Sequence, residues 1–354
     1  MLPYAGCVVC GLDAVTPFCS SICVDYKEMW WSGQGAHLFW LDADLLERTY
    51  CFRGEQEWKD TFRLVYFDPS SQMYRLSGIA HLADLCFKAP IDRNQACIGF
   101  TEDVSGFVKY DLEKIDWWSD CSHGLRKPVD WREFAFVVHA SCWSLTLRFV
   151  DSDVENHLHT FLAISLLKRM AELPTKKRDF LSSWKNKQRG QDPFRIPDVG
   201  ELIEECKQRR ADLAARPALR RSSRLRPRIP LLKVPCEILC LILDRLDYQS
   251  VRQFCQAIYC PPMDSYWRSR AAPHLLELDE IRHEDLDWRH LCLELEELRT
   301  TTDTFDTRER ILKILRENKD AYLRNLKKAH PLTAKDVINQ IQFGRVLKYP
   351  DEFN

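Results

Sequence analysis

Two cysteine pairs lie close to the start of the chain, Cys7-Val-Val-Cys10-Gly11 and, after eight intervening residues, Cys19-Ser-Ser-Ile-Cys23. Thiolates at such spacings can converge on one ion at tetrahedral distances, and Gly11 is free to make the tight turn this requires. Four protein ligands leave no open coordination position, so the chemistry indicated for Cys7, Cys10, Cys19 and Cys23 is one structural zinc and not catalysis. The two pairs make 1–31 a candidate zinc knuckle. A cysteine-rich chain also produces these spacings by chance, and buried free thiols are the alternative reading.

A second, scattered set consists of Cys121, His123, His139 and Cys142. On a helix His139 and Cys142, at i and i+3, share a face. A His and a Cys packed beneath Trp143 is the plainer expectation. A Cys beside a His can also form a nucleophilic thiolate. No glycine cluster for an oxyanion hole and no orienting third group accompanies the pair, so an enzyme is not expected.

The elements that must position these residues fall into three compositional blocks, and a chain of 354 residues suffices for about two domains. An α+β fold is expected. Residues 1–167 form its N-terminal mixed domain, with strands at Phe62–Phe67 and Met73–Leu76 around a Asp68-Pro69 turn, and further strands at 98–100 and 106–110. The stretch 134–149 suits strand or helix, with His139, Trp143 and Thr146 leaning towards helix. Residues 168–229 read as a basic linker, partly helical around Val199 to Ala215. Between Lys207 and Arg228 it carries nine Lys or Arg against the single acid Asp212. Such a run is a spacer, an import signal or a phosphate-contacting arm. From 230 onward helical periodicity dominates. Asp247 is placed to cap one helix, Trp288, Leu291, Leu295 and Leu298 mark another, and Asp306 with Glu309 opens a third.

The rest of the composition removes several function classes. Basic and acidic residues number 51 and 52, so no global nucleic-acid footprint exists. Uncharged apolar runs stop far short of the ~20 residues that span a bilayer. The start of the chain lacks a signal-peptide pattern, and the odd number of cysteines, 15, argues against a secreted disulfide scaffold. A cytoplasmic or nuclear location is expected.

Leu232-Lys-Val-Pro-Cys-Glu-Ile-Leu239, continuing through Ile242, Leu243 and Asp247 to Val251 and Phe254, resembles the F-box motif, a Pro-x-Glu-Ile-Leu helix, a short Asp-containing break and a second helix. Met73-Tyr-Arg-Leu-Ser-Gly-Ile-Ala80, Phe136-Val-Val-His-Ala-Ser-Cys-Trp143, Asp264-Ser-Tyr-Trp-Arg-Ser-Arg270 and Leu286-Asp-Trp-Arg-His-Leu-Cys292 are similar to segments of filamentous-fungal F-box proteins. Phe-Cys-Ser-x-x-Cys at 18–23 resembles half of an FCS-type zinc finger. Trp267 comes later than the Trp of a generic F-box third helix.

The resemblance implies an F-box module at 230–270, a helical region at 271–354, and docking on the Skp-type adaptor of a cullin-RING ubiquitin ligase. Leu232, Pro235, Ile238, Leu239, Ile242, Leu243, Val251 and Phe254 would then face the adaptor, with a protein substrate held elsewhere. The alternative is a nucleic-acid-binding regulator that uses the zinc knuckle and the Arg-rich linker. Charge placement favours the receptor, because the basic residues gather in the linker while Asp13, Asp25 and Glu28 lie around the cysteine pairs.

Overall fold

The computed structural model describes residues 6–12, 39–49, 57–81, 88–98, 106–109, 132, 135–172, 192–215, 234–257 and 263–342. Its strands are β1 (Phe39–Asp42), β2 (Thr61–Asp68), β3 (Met73–Leu76), β4 (Ile79–His81), β5 (Lys88–Pro90), β6 (Gln95–Ile98), β7 (Phe107–Lys109) and β8 (Ala135–His139). Its helices are α1 (Ala43–Thr49), α2 (Ala140–Phe149), α3 (Leu158–Glu172), α4 (Pro197–Ala215), α5 (Cys236–Leu243), α6 (Tyr248–Ala257), α7 (Asp264–Ala271), α8 (Leu278–Ile281), α9 (Trp288–Thr301), α10 (Asp306–Leu326) and α11 (Ala334–Gln342). The fold is α+β, with strands towards the N-terminus and helices towards the C-terminus. Among the described residues no helix is long and apolar enough to cross a membrane.

The chain forms two compact units, Met1–Phe194 with Asp306–Asn354, and Arg195–Phe305. In the first, β2 is the central strand. Val65 pairs with Leu76 of β3 and also with Phe136 of β8, so both edges of β2 are occupied. Phe62, Arg63, Leu64 and Val65 are buried on successive positions, as expected of a strand covered on both faces. Between β3 and β4 the strand is interrupted at Ser77-Gly78, where Ser77 Oγ accepts from Leu64 N at 2.7 Å. A Cβ on Gly78 would sit 2.2 Å from the Gln95 carbonyl oxygen, so only glycine lets the backbones approach this closely. The Arg75-Leu-Ser-Gly-Ile-Ala80 run is thus strand, interruption and strand again. β4 then pairs parallel with β6, which pairs antiparallel with β1.

The ambiguous stretch 134–149 is both things in turn, with β8 ending at His139 and α2 beginning at Ala140. Helices α2, α3, α10 and α11 belong to the same unit as the sheet. The Tyr322 ring meets Phe161 edge-on at 6.2 Å, and the buried Ile311, Ile314 and Leu315 continue the apolar face of α10. Arg308 of α10 is buried and donates to the carbonyls of Pro193 and Phe194 at 2.8 and 2.9 Å. The expected single helical region 271–354 is therefore divided, because amphipathic spacing specifies an apolar face and not the neighbour that covers it. The linker boundary at 168 likewise falls inside α3, which runs to Glu172.

In the second unit, α4 is no spacer: Val199, Ile203 and Cys206 are buried in one core with Leu243, Val251, Trp267, Trp288 and Leu291. The rest of the basic stretch, including Arg220, Arg221, Arg224 and Arg226, lies outside the described residues. Asp247 caps α6, its Oδ1 accepting from Ser250 N at 2.8 Å, and Asp287 caps α9 through His290 N at 3.1 Å. Trp267 is buried in α7, and Arg268 lies 4.7 Å above the Trp288 ring.

Arg270 joins three of these elements, donating to the carbonyls of Leu243 at the end of α5 and Leu246 just beyond it, and pairing with both carboxylate oxygens of Glu296 on α9 at 2.6 and 2.9 Å. The side chains of Arg270 and Glu296 are only 12% and 15% exposed, so removing one leaves the other poorly solvated. Arg270→Ala is expected to cost about 3 kcal/mol, read as a lowered urea midpoint of the full chain, whereas Glu296→Ala with Arg270→Met together should cost less than either single change.

Candidate metal centre

Residues 6–12 fold into a tight turn in which Gly11 N donates to Cys7 O and Cys7 N donates to Leu12 O, both at 2.8 Å. Gly11 has φ of +70°, the left-handed conformation that a side chain disfavours. Both cysteines of the turn are buried. Val8 N donates to Val137 O at 2.9 Å, which fastens the turn alongside β8.

The strand β8 delivers the other half. His139 is its last residue, still extended at φ −59° and ψ 141°, and serves as N-cap of α2. Cys142 lies in the first turn of that helix. His139 packs edge-on against the buried Trp58 at 4.8 Å. One strand end and one helix start thus present an imidazole and a thiol towards the turn.

Cys7, Cys10, His139 and Cys142 form one buried group whose ligand atoms all lie within 4.8 Å of one another, and this group could hold one metal ion. His139 Nδ1 is 3.3 Å from Cys10 Sγ and 3.7 Å from Cys142 Sγ. Bonds of about 2.3 Å to sulfur and 2.0 Å to nitrogen at the tetrahedral angle would put these atoms about 3.5 Å apart. These two separations lie on either side of that value, so the group is compatible with one tetrahedral ion. The backbone amides of His139 and Leu12 point at Cys7 Sγ and Cys10 Sγ, each at 3.5 Å, a placement that favours thiolate over thiol.

The electrostatics lean the same way. Burial alone would push the Cys10 thiol up, but hydrogen bonds from Cys142 and Cys7 and the charge of His139 outweigh it and hold Cys10 well below its ordinary value. Burial would push His139 down, yet the charges of Cys7 and Cys10 and their hydrogen bonds lift it well above the usual imidazole range. Burial, with hydrogen bonds to Cys10 and Cys7, keeps Cys142 well above the ordinary thiol. A cation entering this group replaces the protons that the donors otherwise share.

Of the four metal ligands expected from sequence, Cys7 and Cys10 are brought together, and Cys19 and Cys23 lie outside the described residues. The partners found for the first pair are His139 and Cys142, which the sequence offers as part of a second, separate ligand set or, more plainly, as a pair packed beneath Trp143. Cys121 and His123 of that scattered set also lie outside the described residues. A signal was present: Cys7-x-x-Cys10 and His139-x-x-Cys142 have the same i, i+3 spacing, which marks two half-sites.

The residues expected to face an adaptor separate into two groups. Leu239, Leu243 and Val251 are buried in the core of the second unit and are not available to a partner, because α4 and α9 supply the apolar cover that a 40-residue module alone would lack. Phe254 is half-buried against the same core. Ile238 and Ile242 are 46% and 37% exposed, and Leu241, which the motif reading passed over, is 61% exposed between them. Pro235 is exposed at the N-cap of α5, and Leu232 lies outside the described residues.

No protein-family model, no curated protein and no solved structure matches the chain.

At Gly11 the turn has no room for a side chain. A Cβ on Gly11 would lie 2.2 Å from Arg169 Nη1, and the residue would have to keep its left-handed φ. Gly11→Ala should lower stability by about 1–2 kcal/mol from backbone strain alone, seen as a fall in Tm. Ala at Gly200, where a Cβ meets nothing within 4 Å and the residue is helical, should leave Tm level or raise it slightly.

Proposed function

We propose that this chain is a non-catalytic receptor of the F-box type, docking on a Skp-type adaptor and through it on a cullin, with its first unit held together by one structural zinc. The observation that carries the docking reading is the exposed row Ile238, Leu241 and Ile242 on α5. These positions at i, i+3 and i+4 share one face of the helix. Leu239 and Leu243 anchor the opposite face in the core, so the row is held rigidly and presented to solvent. In this scheme the chain supplies proximity: holding a target beside the ligase raises the effective concentration of its lysines without any chemistry by the receptor.

Zinc is the ion that the donor set supports. Three thiolates and one imidazole, all buried and with no open position, make a Cys3His site of the structural kind. Zinc would contribute binding energy to the folded state of the first unit, since the ligands are drawn together only there.

Two measurements test these readings separately. Elemental analysis of the full chain, purified without added metal, should find one zinc per chain. It should find almost none in His139→Ala with Cys142→Ser, and an undiminished amount in Cys19→Ser with Cys23→Ser. Zinc lost only from the latter variant would reinstate the four-cysteine knuckle.

For docking, Ile238→Asp with Ile242→Asp should weaken adaptor binding at least 100-fold, because carboxylates would be buried at the contact. Circular dichroism should remain that of the folded chain. Binding that survives in the folded variant refutes the docking reading, while Leu243→Asp should unfold the second unit and so serves as the contrasting control.

A further inference from the structure

Three thiolates around a divalent ion carry a net charge of −1, from three negative charges against two positive, and the donor group is buried on all four members. An uncompensated buried charge is costly, so a stable centre of this kind needs cations close to it. Two guanidinium groups lie against the Cys7–Gly11 turn. Arg169, near the end of α3, donates from Nη2 to Val9 O at 2.5 Å, and its side chain passes directly over Gly11. Arg310, in the second turn of α10, donates from Nη1 to Cys10 O at 3.1 Å. The accepting carbonyls belong to a ligand and to its immediate neighbour.

On the reading that the site holds zinc, we infer that Arg169 and Arg310 are positioning residues of the centre, which offset its negative charge and clamp the turn so that Cys7 and Cys10 face the ion. Each does two things at once. The hydrogen bond to a carbonyl fixes the turn, and the positive charge stabilises the thiolate form of the ligands on it. The two arginines come from helices far apart in sequence, so the centre gathers the turn, the β8–α2 junction, α3 and α10 into one charge-balanced assembly. Outer groups of this kind typically change metal affinity by about 10–100-fold.

The test uses the full chain and zinc itself, with affinity measured by competition against a chromophoric chelator. Arg310→Gln and Arg169→Gln should each bind one zinc at saturation but about 10–100-fold more weakly than the native chain. Arg310→Lys, which keeps the charge and loses the planar fork, should recover most of the loss. In the cobalt-substituted protein, the sulfur-to-metal charge-transfer band should move to lower energy in the Gln variants, since a thiolate deprived of a nearby cation gives up an electron more readily. A role in packing alone would leave that band in place. Affinities within threefold of native for both Gln variants, or equal losses for Arg310→Gln and Arg310→Lys, overturn the inference while leaving the zinc site intact. A native chain that takes up neither zinc nor cobalt overturns the zinc reading and this inference together.

Discussion

The convergence of Cys7 and Cys10 on His139 and Cys142 is the contact on which the first unit depends, because it joins the described N-terminal turn to the centre of the sheet. Small turns of seven residues have too little apolar surface to hold a fixed position by burial alone. Here the turn is held by specific means: a backbone hydrogen bond from Val8 to Val137, sulfur contacts to His139, and guanidinium groups on the carbonyls of Val9 and Cys10. The sulfur contacts depend on β8 stopping at His139 and α2 starting at Ala140. Moving that junction by one residue would turn the imidazole to the other face of the strand.

The sheet supplies the rigidity behind that junction. β8 lies against β2, and β2 is flanked on its other edge by β3 and β4, so Phe62 to Tyr66 cannot shift register without breaking pairings on both sides. Gly78 allows β3 to pass into β4 within contact distance of the 90–95 backbone, and Arg63, buried below it, donates to Ser77 O and Arg93 O at 2.9 and 3.0 Å while pairing with Glu47. Burial lowers the Arg63 guanidinium from its ordinary value and the Glu47 carboxylate works against that, an arrangement that requires the carboxylate to stay in place.

The second unit solves a different problem with the same kind of economy in helix faces. An isolated eight-residue helix as apolar as α5 would have nowhere to place all its side chains. The core takes Leu239 and Leu243, Arg270 satisfies the carbonyls after its last turn, and Ile238, Leu241 and Ile242 remain outside. An exposed row built this way is fixed in place by the core beneath it, and preorganisation of that kind lowers the entropic cost of any association.

By itself the sequence determined the local elements and the identities of the reactive side chains. Short apolar runs and turn residues marked β2 and β3, capping residues marked the starts of α6 and α10, and the close cysteines marked Cys7 and Cys10 as candidate ligands. Such signals are carried by neighbouring residues and survive without any knowledge of the fold. Tertiary structure decided which half-site completes the centre, because Cys10 and His139 are 129 positions apart and only the pairing of the N-terminal turn with β8 makes them neighbours. It also decided which side of α5 faces water and which of the later helices joins the sheet. An apolar stripe records only that a face must be covered, and the element that covers it is a property of the whole chain's packing.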